Sequence, residues 1–162
     1  ALFIKIKSLI FINERLPLCM SKNIQIKLLS TEALVPKKQH ESDIGFDLSS
    51  IEEVLLPNNR VTLVNTGIAI SLDKGIAGFV LPRSGLASKH QITLINSPGL
   101  IDPGYTGELK IPLINHSEND YTITKHERVA QLVLLNTENV SFEIVEDLES
   151  SERSTKGFGS TG

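Results

Sequence analysis

Tryptophan is absent from this chain of 162 residues, and cysteine occurs once, as Cys19. A lone cysteine excludes a disulfide within the chain and agrees with a reducing compartment, so we expect a cytoplasmic protein. The sequence shows no cluster of Cys and His residues, so a structural zinc site is not expected. The net charge of −3 leaves no evident basic face. This argues against a nonspecific duplex DNA binder, which needs many Lys or Arg side chains to contact phosphates.

The sequence also lacks a long uninterrupted apolar segment. The first 19 residues are rich in apolar side chains, but Lys5 and Lys7 interrupt them and the run falls far short of a membrane span. No small-residue cleavage site is obvious, which argues against a secretory signal, whereas an amphipathic targeting peptide stays open. After Met20, alternating apolar residues over Ile24–Leu28 predict a first strand. We therefore expect residues 1–19 to be an N-terminal extension outside the fold, with no role in a membrane.

The apolar residues recur mostly with a period of two, which predicts β-strands. Turn-forming Pro, Asn, Asp and Gly residues separate short segments rich in Val, Ile and Leu. The predicted strands are Ile24–Leu28, Asp47–Ser49, Val54–Leu56, Val61–Asn65, Ile68–Ser71, Ile76–Leu81, Ile92–Ile95, Glu108–Ile114, Tyr121–Ile123, Arg128–Leu135 and Ser141–Val145. Only Arg83–Lys89 indicates a short helix.

Many short strands at a spacing of roughly 8–12 residues are typical of an all-β sandwich, jelly roll or distorted β-barrel. We expect one such domain over residues 20–147. From Glu143 the chain becomes acidic and polar and cannot pack a core of its own, so residues 148–162 are predicted to be a mobile C-terminal arm.

Three short stretches combine residues that fit neither a plain strand nor a plain turn. In SDIGFDL, Asp47 is either a solvent-facing acid or a carboxylate aimed at the water shell of a metal. In LPRSGLASKH, Arg83, Ser84 and Gly85 follow a strand and open the helix. Either Ser84 is simply the N-cap, or Arg83 and the free N–H groups bind an anion. In RVAQL, Gln131 is the one polar residue among core positions and is either exposed or a ligand contact.

A fourth stretch, INSPGLIDPGYTGELK, has two turn signals that bracket only Leu100 and Ile101. So tight a segment is expected to present its backbone N–H and C=O groups outward, rather than to a neighbouring strand, where they can read the edge of a planar base. Asp102 directly before Pro103 is a common turn former. Together with Tyr105, however, it also supplies a carboxylate base and an aromatic platform.

The chain ends in RSTKGFGSTG. Its glycines let backbone N–H groups converge on phosphate oxygens, and Arg153 and Lys156 add positive charge. Phe158 is a poor choice for a solvated end and suggests a flat group to stack on. The alternative is a disordered Gly/Ser tail.

In this order, the five stretches resemble the trimeric dUTPases (deoxyuridine 5′-triphosphate nucleotidohydrolases) over about Ile24 to Gly162. The resemblance implies a β jelly roll that forms a homotrimer, with active sites at the subunit interfaces. It also implies hydrolysis of dUTP to dUMP and pyrophosphate with Mg²⁺, which keeps uracil out of DNA and supplies dUMP for dTMP synthesis. The tail departs from the family pattern, because Ser154 and Lys156 replace glycines, and a side chain costs freedom wherever the backbone needs a positive φ.

The resemblance further implies roles for individual residues. Asp102 matches the carboxylate that activates the attacking water, and Tyr105 matches the ring beneath the deoxyribose that leaves no room for a 2′-hydroxyl. Arg83 matches a phosphate contact that also helps to orient the catalytic acid, and Asp47 matches a group that contacts the hydrated Mg²⁺ and the phosphates. The remaining matches are the phosphate contacts Ser84 and Gly85; the uracil-reading hairpin of Asn96, Gly99, Leu100 and Ile101; Lys110, which lines the site; Gln131, beside the metal and phosphates; and Arg153, Phe158, Gly159, Ser160 and Thr161 of the closing arm.

Three other classes of protein stay open on the sequence. A dCTP deaminase resembles the dUTPases in fold and would release ammonia from dCTP. A binding or signalling module would keep the nucleotide site without catalysis, although the intact Asp102 argues against it. A purely structural jelly roll would bind no nucleotide, and it gives no reason for Arg83, Asp102 and Phe158 to occur together.

Overall fold

A computed structural model describes residues 23–149 of the chain. Strands dominate it, and their order along the chain is β1 (Gln25–Leu28), β2 (Phe46–Ser49), β3 (Val54–Leu56), β4 (Val61–Asn65), β5 (Ile68–Ser71), β6 (Ile76–Pro82), β7 (Ile92–Leu94), β8 (Gly99–Ile101), β9 (Lys110–Asn115), β10 (Tyr121–Ile123) and β11 (Arg128–Asn136). One helix, α1 (Ser84–His90), lies between β6 and β7. Among residues 23–149, no helix has the length and apolarity that a membrane crossing requires.

Antiparallel pairing joins these strands into two main sheets and two small ones. The larger sheet has the order β2-β11-β6-β8, and the second has the order β4-β9-β7. The pairs β1-β5 and β3-β10 complete the fold. Residues from all four sheets bury their apolar side chains in one core, whose fully buried members include Leu48, Leu56, Val64, Ile68, Ile92, Ile111, Leu113, Ile123 and Val129. The all-β jelly-roll prediction is confirmed, and the sheets of residues 23–149 do not close into a barrel.

Two predictions about local structure are wrong. Ser141–Val145 is irregular, although its residues alternate as a strand would. Gly99–Ile101, predicted to turn its backbone outward, instead forms β8 and pairs with β6, with Phe79 opposite Leu100. Since β8 is the last strand of its sheet, its other edge has no strand partner within residues 23–149.

Helix α1 begins directly at the end of β6. Its N-cap is Arg83, whose backbone is extended and whose side chain makes no capping hydrogen bond. Ser84 is therefore the first helical residue and not the N-cap. The helix ends at His90, and its C-cap, Gln91, has a φ of 56° and donates its N–H to the carbonyl oxygens of Leu86 and Ala87.

A buried polar side chain ties the turn between β9 and β10 to the rest of the fold. The Asn115 amide is fully buried and donates to the carbonyl oxygens of Leu56 (3.0 Å) and Asn119 (2.8 Å). Its side-chain oxygen accepts hydrogen bonds from the N–H and the hydroxyl of Ser117. All four hydrogen-bonding positions of the amide are therefore filled.

Candidate active site

One group of the predicted residues lies where β2, β11 and β6 run side by side. Asp47 is paired with Gln131, and Gln131 with Leu81, so the three residues form one row across the sheet. Arg83 lies two residues beyond Leu81 and so returns to the same face. These side chains border a pocket of about 530 Å³, lined by Gln39, Asp43, Ile44, Gly45, Asp47, Arg83, Gln131 and Val133.

The Asp47 carboxylate is the charged centre of this group. Its side chain is only 11 % exposed, so it is not a solvent-facing acid. Oδ1 lies 3.1 Å from Nε of Arg83, and Oδ2 lies 3.0 Å from Nη1 of Arg128. Oδ2 also accepts a hydrogen bond from Gln39 Nε2 (2.9 Å). Asp47 therefore holds two arginine side chains in place.

Arg83 is fixed from two sides but keeps an unused donor. Its Nη1 donates to the carbonyl oxygen of Arg128 (3.2 Å). Its Nε lies within ion-pair distance of Asp47, yet the N–H is not aimed at that oxygen and has no hydrogen-bond acceptor within residues 23–149. A buried donor without a partner is costly, and such groups occur where a site is completed by a ligand or another chain.

Arg128 also belongs to this group, although it was not among the residues predicted from the sequence. The pairing of β11 with β2 shifts by one residue between Arg128 and Ala130, which is a β-bulge at Val129. Without the bulge, Arg128 and Gln131 would point to opposite faces of the sheet, because they lie three residues apart. The bulge turns Arg128 to the Asp47 face. Adjacent buried residues, Val129 and Ala130, are the sequence signal that breaks strict alternation.

Two glycines leave room around this group. A Cβ on Gly45 would lie 2.6 Å from Oε1 of Gln131, so the Gln131 amide lies across the Gly45 backbone. A Cβ on Gly85 would meet nothing within 4 Å. The start of α1, with Ser84 and Gly85, is thus open to an approaching molecule.

A second group of predicted residues surrounds a separate cavity of about 340 Å³ at the end of β8. It is lined by Val80, Leu100, Ile101, Asp102, Tyr105, Glu108, Leu109 and Lys110. Asp102 is exposed, and its carbonyl oxygen accepts a hydrogen bond from the Tyr105 N–H (3.2 Å), which closes the turn between the two residues. Lys110 Nζ lies 3.8 Å from Oε2 of Glu108.

Asn96 lies in the exposed turn that precedes β8. A Cβ on Gly99 would lie 3.3 Å from Nδ2 of Asn96, so the Asn96 amide packs against the Gly99 backbone. Leu100, the middle residue of β8, has an exposed fraction of 56 %. The turn and the free edge of β8 thus lie beside the cavity that contains Asp102.

Within one chain the two groups do not meet. Ile101 pairs with Gly78, so Asp102 lies level with Ala77, whereas Arg83 comes just after the opposite end of β6. Six residues of extended strand separate the two levels by about 20 Å. Within a single chain, Arg83 is therefore too far from Asp102 to orient its carboxylate.

Some predicted features fall outside the described residues. These are the extension 1–19 and the tail residues Arg153, Ser154, Lys156, Phe158, Gly159, Ser160 and Thr161. Within residues 23–149, no three His, Cys, Asp or Glu side chains are grouped as metal ligands.

Comparison with known proteins gives a consistent result. A family model described as dUTPase matches residues 31–162. The deoxyuridine 5′-triphosphate nucleotidohydrolase of Clostridioides difficile is 47 % identical over 140 residues, which cover 86 % of this chain and 98 % of that protein. The protein of the same name from Clostridium acetobutylicum is 46 % identical over 140 residues, covering 86 % and 97 %.

Solved structures agree with this result. A Staphylococcus bacteriophage 80alpha dUTPase with dUPNHPP has a TM-score of 0.82 and 34 % identity, and the match covers 88 % of this chain and 99 % of that one. A mutant dUTPase from phage phi11 of S. aureus, described with a structural Mg(II) ion, has a TM-score of 0.75 and 28 % identity, covering 80 % and 100 %. Since the family model spans most of the chain and the relatives align over nearly their full lengths, the chain belongs to the dUTPase family.

Proposed function

We propose that this chain hydrolyses dUTP to dUMP and pyrophosphate, with Asp102 as the base that activates water. The observation that carries the proposal is the cavity of about 340 Å³ where Asp102, Tyr105 and Lys110 come together beside β8. The names of the relatives and the dUPNHPP in a neighbouring structure support a deoxyuridine nucleotide as the substrate. The reaction would keep uracil out of DNA and supply dUMP for dTMP synthesis.

The proposed chemistry is an in-line displacement at the α-phosphorus. Water is a weak nucleophile, and a carboxylate within hydrogen-bond reach raises its reactivity by accepting a proton, an effect of about 10²–10⁴-fold. As the water oxygen bonds to phosphorus, the bond to the bridging oxygen breaks and pyrophosphate leaves. Arg83 and the backbone N–H groups at the start of α1 offset the negative charge of the phosphates.

Base and sugar choice would come from fixed groups around the cavity. The free edge of β8, over Gly99, Leu100 and Ile101, offers backbone donors and acceptors to uracil, with Asn96 beside it. Cytosine presents the reverse pattern and would leave those groups unpaired, at a cost of about 1–3 kcal/mol each. The Tyr105 ring would lie beneath the deoxyribose and exclude a 2′-hydroxyl.

We propose that each site is shared between copies of the chain in a homotrimer. A base must lie within about 3 Å of the attacking water, so Asp102 and a phosphate-binding Arg83 need to be within roughly 10 Å of one another. The separation of about 20 Å along β6 is too large for both to serve one nucleotide from one chain. A second copy that brings its Asp47, Arg83 and Gln131 to the Asp102 cavity removes this conflict.

Exposed apolar residues near the C-terminal end of the described chain support such an assembly. Val140, Phe142 and Ile144 have exposed fractions of 74 %, 100 % and 100 %. They alternate with polar residues, so one face of the segment is apolar, and exposed apolar surface of this kind is typical of an interface. A neighbouring copy would cover this face, and a strand edge of that copy would supply the hydrogen-bonded partner that Ser141–Val145 lacks within residues 23–149.

Mg²⁺ would enter with the triphosphate. The protein provides no cage for the ion within residues 23–149, and Mg²⁺ typically keeps several waters while binding one or two carboxylates and substrate phosphates. Asp47 fits this role through water, because Arg83 is the one cationic neighbour of Oδ1 among residues 23–149, and this oxygen retains a lone pair for a metal-bound water. When bound, the ion would offset phosphate charge.

The arm is the last part of the proposal. Arg153, Phe158, Gly159, Ser160 and Thr161 would close over the bound nucleotide, with Phe158 stacked on the base and Arg153 at the phosphates. We propose a cytoplasmic location, in keeping with the lone Cys19.

Pyrophosphate release from dUTP tests the reaction. We expect the pure chain to produce pyrophosphate from dUTP with Mg²⁺ and to stop when EDTA removes the metal. Asp102→Asn should lower turnover by about 10²–10⁴-fold and leave dUTP binding intact. Glu118→Gln, at an exposed acid beyond the end of β9 opposite to Lys110, should change nothing. Ammonia release from dCTP would favour a deaminase. Unchanged turnover in Asp102→Asn would contradict the assignment of the base.

A further inference from the structure

The Tyr105 ring lies where a side chain of residue 107 would have to be. Its hydroxyl donates to the carbonyl oxygen of Glu108 (2.9 Å), which bends the ring back over Gly107. A Cβ on Gly107 would come within 2.6 Å of the Tyr105 hydroxyl oxygen, 2.8 Å of Cζ and 3.1 Å of Cε2. Contacts this short cannot form, so any side chain at position 107 would displace the ring.

The requirement for glycine at this position is one of space alone. The glycines of residues 23–149 with a positive φ are Gly67, Gly75 and Gly104, and Gly107 is not among them. Its backbone conformation is therefore open to alanine. Gly107 is also exposed, so a methyl group there does not disturb the core.

The backbone under the ring is clamped to a second turn of the fold. The Gly67 N–H donates to Oε1 of Glu108 (2.9 Å), and the Leu109 N–H donates to the carbonyl oxygen of Ile68 (2.9 Å). The buried Thr66 hydroxyl donates to the carbonyl oxygen of Leu109 (2.6 Å). Three hydrogen bonds thus fix Glu108 and Leu109, and the Glu108 carbonyl oxygen is the acceptor for the Tyr105 hydroxyl.

Tyr105 is also hydrogen-bonded to the backbone of Asp102. The Tyr105 N–H donates to the Asp102 carbonyl oxygen across a three-residue turn, and both side chains line the same cavity. A displaced ring therefore changes the width of the cavity beside Asp102.

We propose that Gly107 is a positioning residue that determines where the Tyr105 ring lies. The Thr66–Ile68 turn, through its hydrogen bonds to Glu108 and Leu109, holds the ring so that the cavity keeps the width that selects the sugar. The first half rests on the geometry of the chain, and the second half rests on the proposed action on dUTP.

The first experiment needs no nucleotide. The chain has two tyrosines and no tryptophan, so the full chain labelled with 3-fluorotyrosine should give two ¹⁹F resonances, which Tyr121→Phe assigns. In Gly107→Ala the Tyr105 resonance should shift while the Tyr121 resonance stays in place. Gly85→Ala is the matched control, because Gly85 is also not among the glycines with a positive φ, lies beyond the opposite end of β6 from Asp102, and its Cβ meets nothing within 4 Å. It should leave both resonances unmoved, and an unmoved Tyr105 resonance in Gly107→Ala would overturn the positioning role.

The second experiment compares dUTP with UTP. Gly107→Ala should lower kcat/KM for dUTP by about 10- to 100-fold and reduce the preference for dUTP over UTP, since displacements near 1 Å have effects of this size. Thr66→Val, which removes the hydroxyl bond without adding a side chain near the ring, should change the preference in the same direction. A shifted Tyr105 resonance with an unchanged preference would overturn the link to sugar choice and leave the positioning role standing. No dUTP turnover in the unsubstituted chain would refute the proposed function itself.

Discussion

Two inactive variants of this chain should restore activity to each other when they assemble together. Asp102 and Arg83 lie about 20 Å apart along β6, roughly twice the distance that a shared nucleotide allows. Asp102→Asn removes the proposed base and should reduce turnover by about 10²–10⁴-fold. Arg83→Ala removes a phosphate contact and one of the two cations that face Asp47. Each variant alone should therefore be close to inactive.

The expected rate of the mixture follows from the sharing. If a site takes Asp102 from one copy and Arg83 from another, random assembly of equal amounts gives each group an even chance of being intact. About one quarter of the sites then contain both, so the mixture should show about one quarter of the wild-type rate. The assay is pyrophosphate release from dUTP with Mg²⁺, after refolding the two variants together so that copies exchange.

A second mixture controls for effects other than sharing. Asp102 and Lys110 line the same cavity of the same chain, so Asp102→Asn and Lys110→Ala cannot complement each other. Their mixture should stay at the mean of the two separate rates. The reasoning would be refuted if the mixture of Asp102→Asn and Arg83→Ala also stayed at its mean, because both groups would then act from one copy.

Three further changes test the assembly, the arm and the core. Replacing both Phe142 and Ile144 by Ser should reduce the mass measured by light scattering to that of one chain, because the exposed apolar face is removed; an unchanged mass would contradict the interface. Deleting residues 153–162 should raise KM for dUTP severalfold while the melting temperature stays constant, and turnover at low dUTP that matches the full chain would rule out a closing arm. Asn115→Leu should lower the free energy of unfolding in urea by about 2–4 kcal/mol, because it removes all four hydrogen bonds of a buried amide, against less than about 0.5 kcal/mol for the exposed Asn136→Leu. Equal losses for these two variants would show that the buried amide has no special role.

Most of the fold could be predicted from local patterns. Strands such as β4, β5 and β11 carry enough alternating apolar residues to be recognised, and turn residues mark their ends. β8 was missed because two turn signals left only Leu100 and Ile101 between them. The strand exists through its pairing with β6, which is about 20 positions earlier in the chain, and no local pattern contains that information.

The opposite error occurred at Ser141–Val145. The alternation there is as clear as in the strands that form, but a strand is defined by its hydrogen-bonded neighbour, and the described chain offers none. The pattern predicts which residues can form a strand, while the available partner decides whether they do.

The sequence predicted which residues belong to the candidate site more fully than it predicted the contacts between them. The family prediction is confirmed, and the roles of individual residues stay predictions. The contact of Asp47 with a hydrated metal stays a prediction, and its ion pairs with Arg83 at the start of α1 and with Arg128 on β11 were not predicted. Gly107 gave no signal of its own, because its importance depends on where the Tyr105 ring lies in space. Such contacts depend on register between distant segments, which spacing along the sequence does not encode.

Because of the bulge at Val129, the number of residues in β11 determines which side chains reach the candidate site. In a regular strand the parity of the sequence number decides which face a side chain occupies, and one inserted residue reverses that parity for everything beyond it. Arg128 and Gln131 share a face only because Val129 is the additional residue. A deletion of one residue here would conserve composition, charge and hydrophobicity almost entirely, yet it would move the guanidinium to the opposite side of the sheet from Asp47. In β11 the number of residues therefore decides, as much as their identity does, which side chains face Asp47.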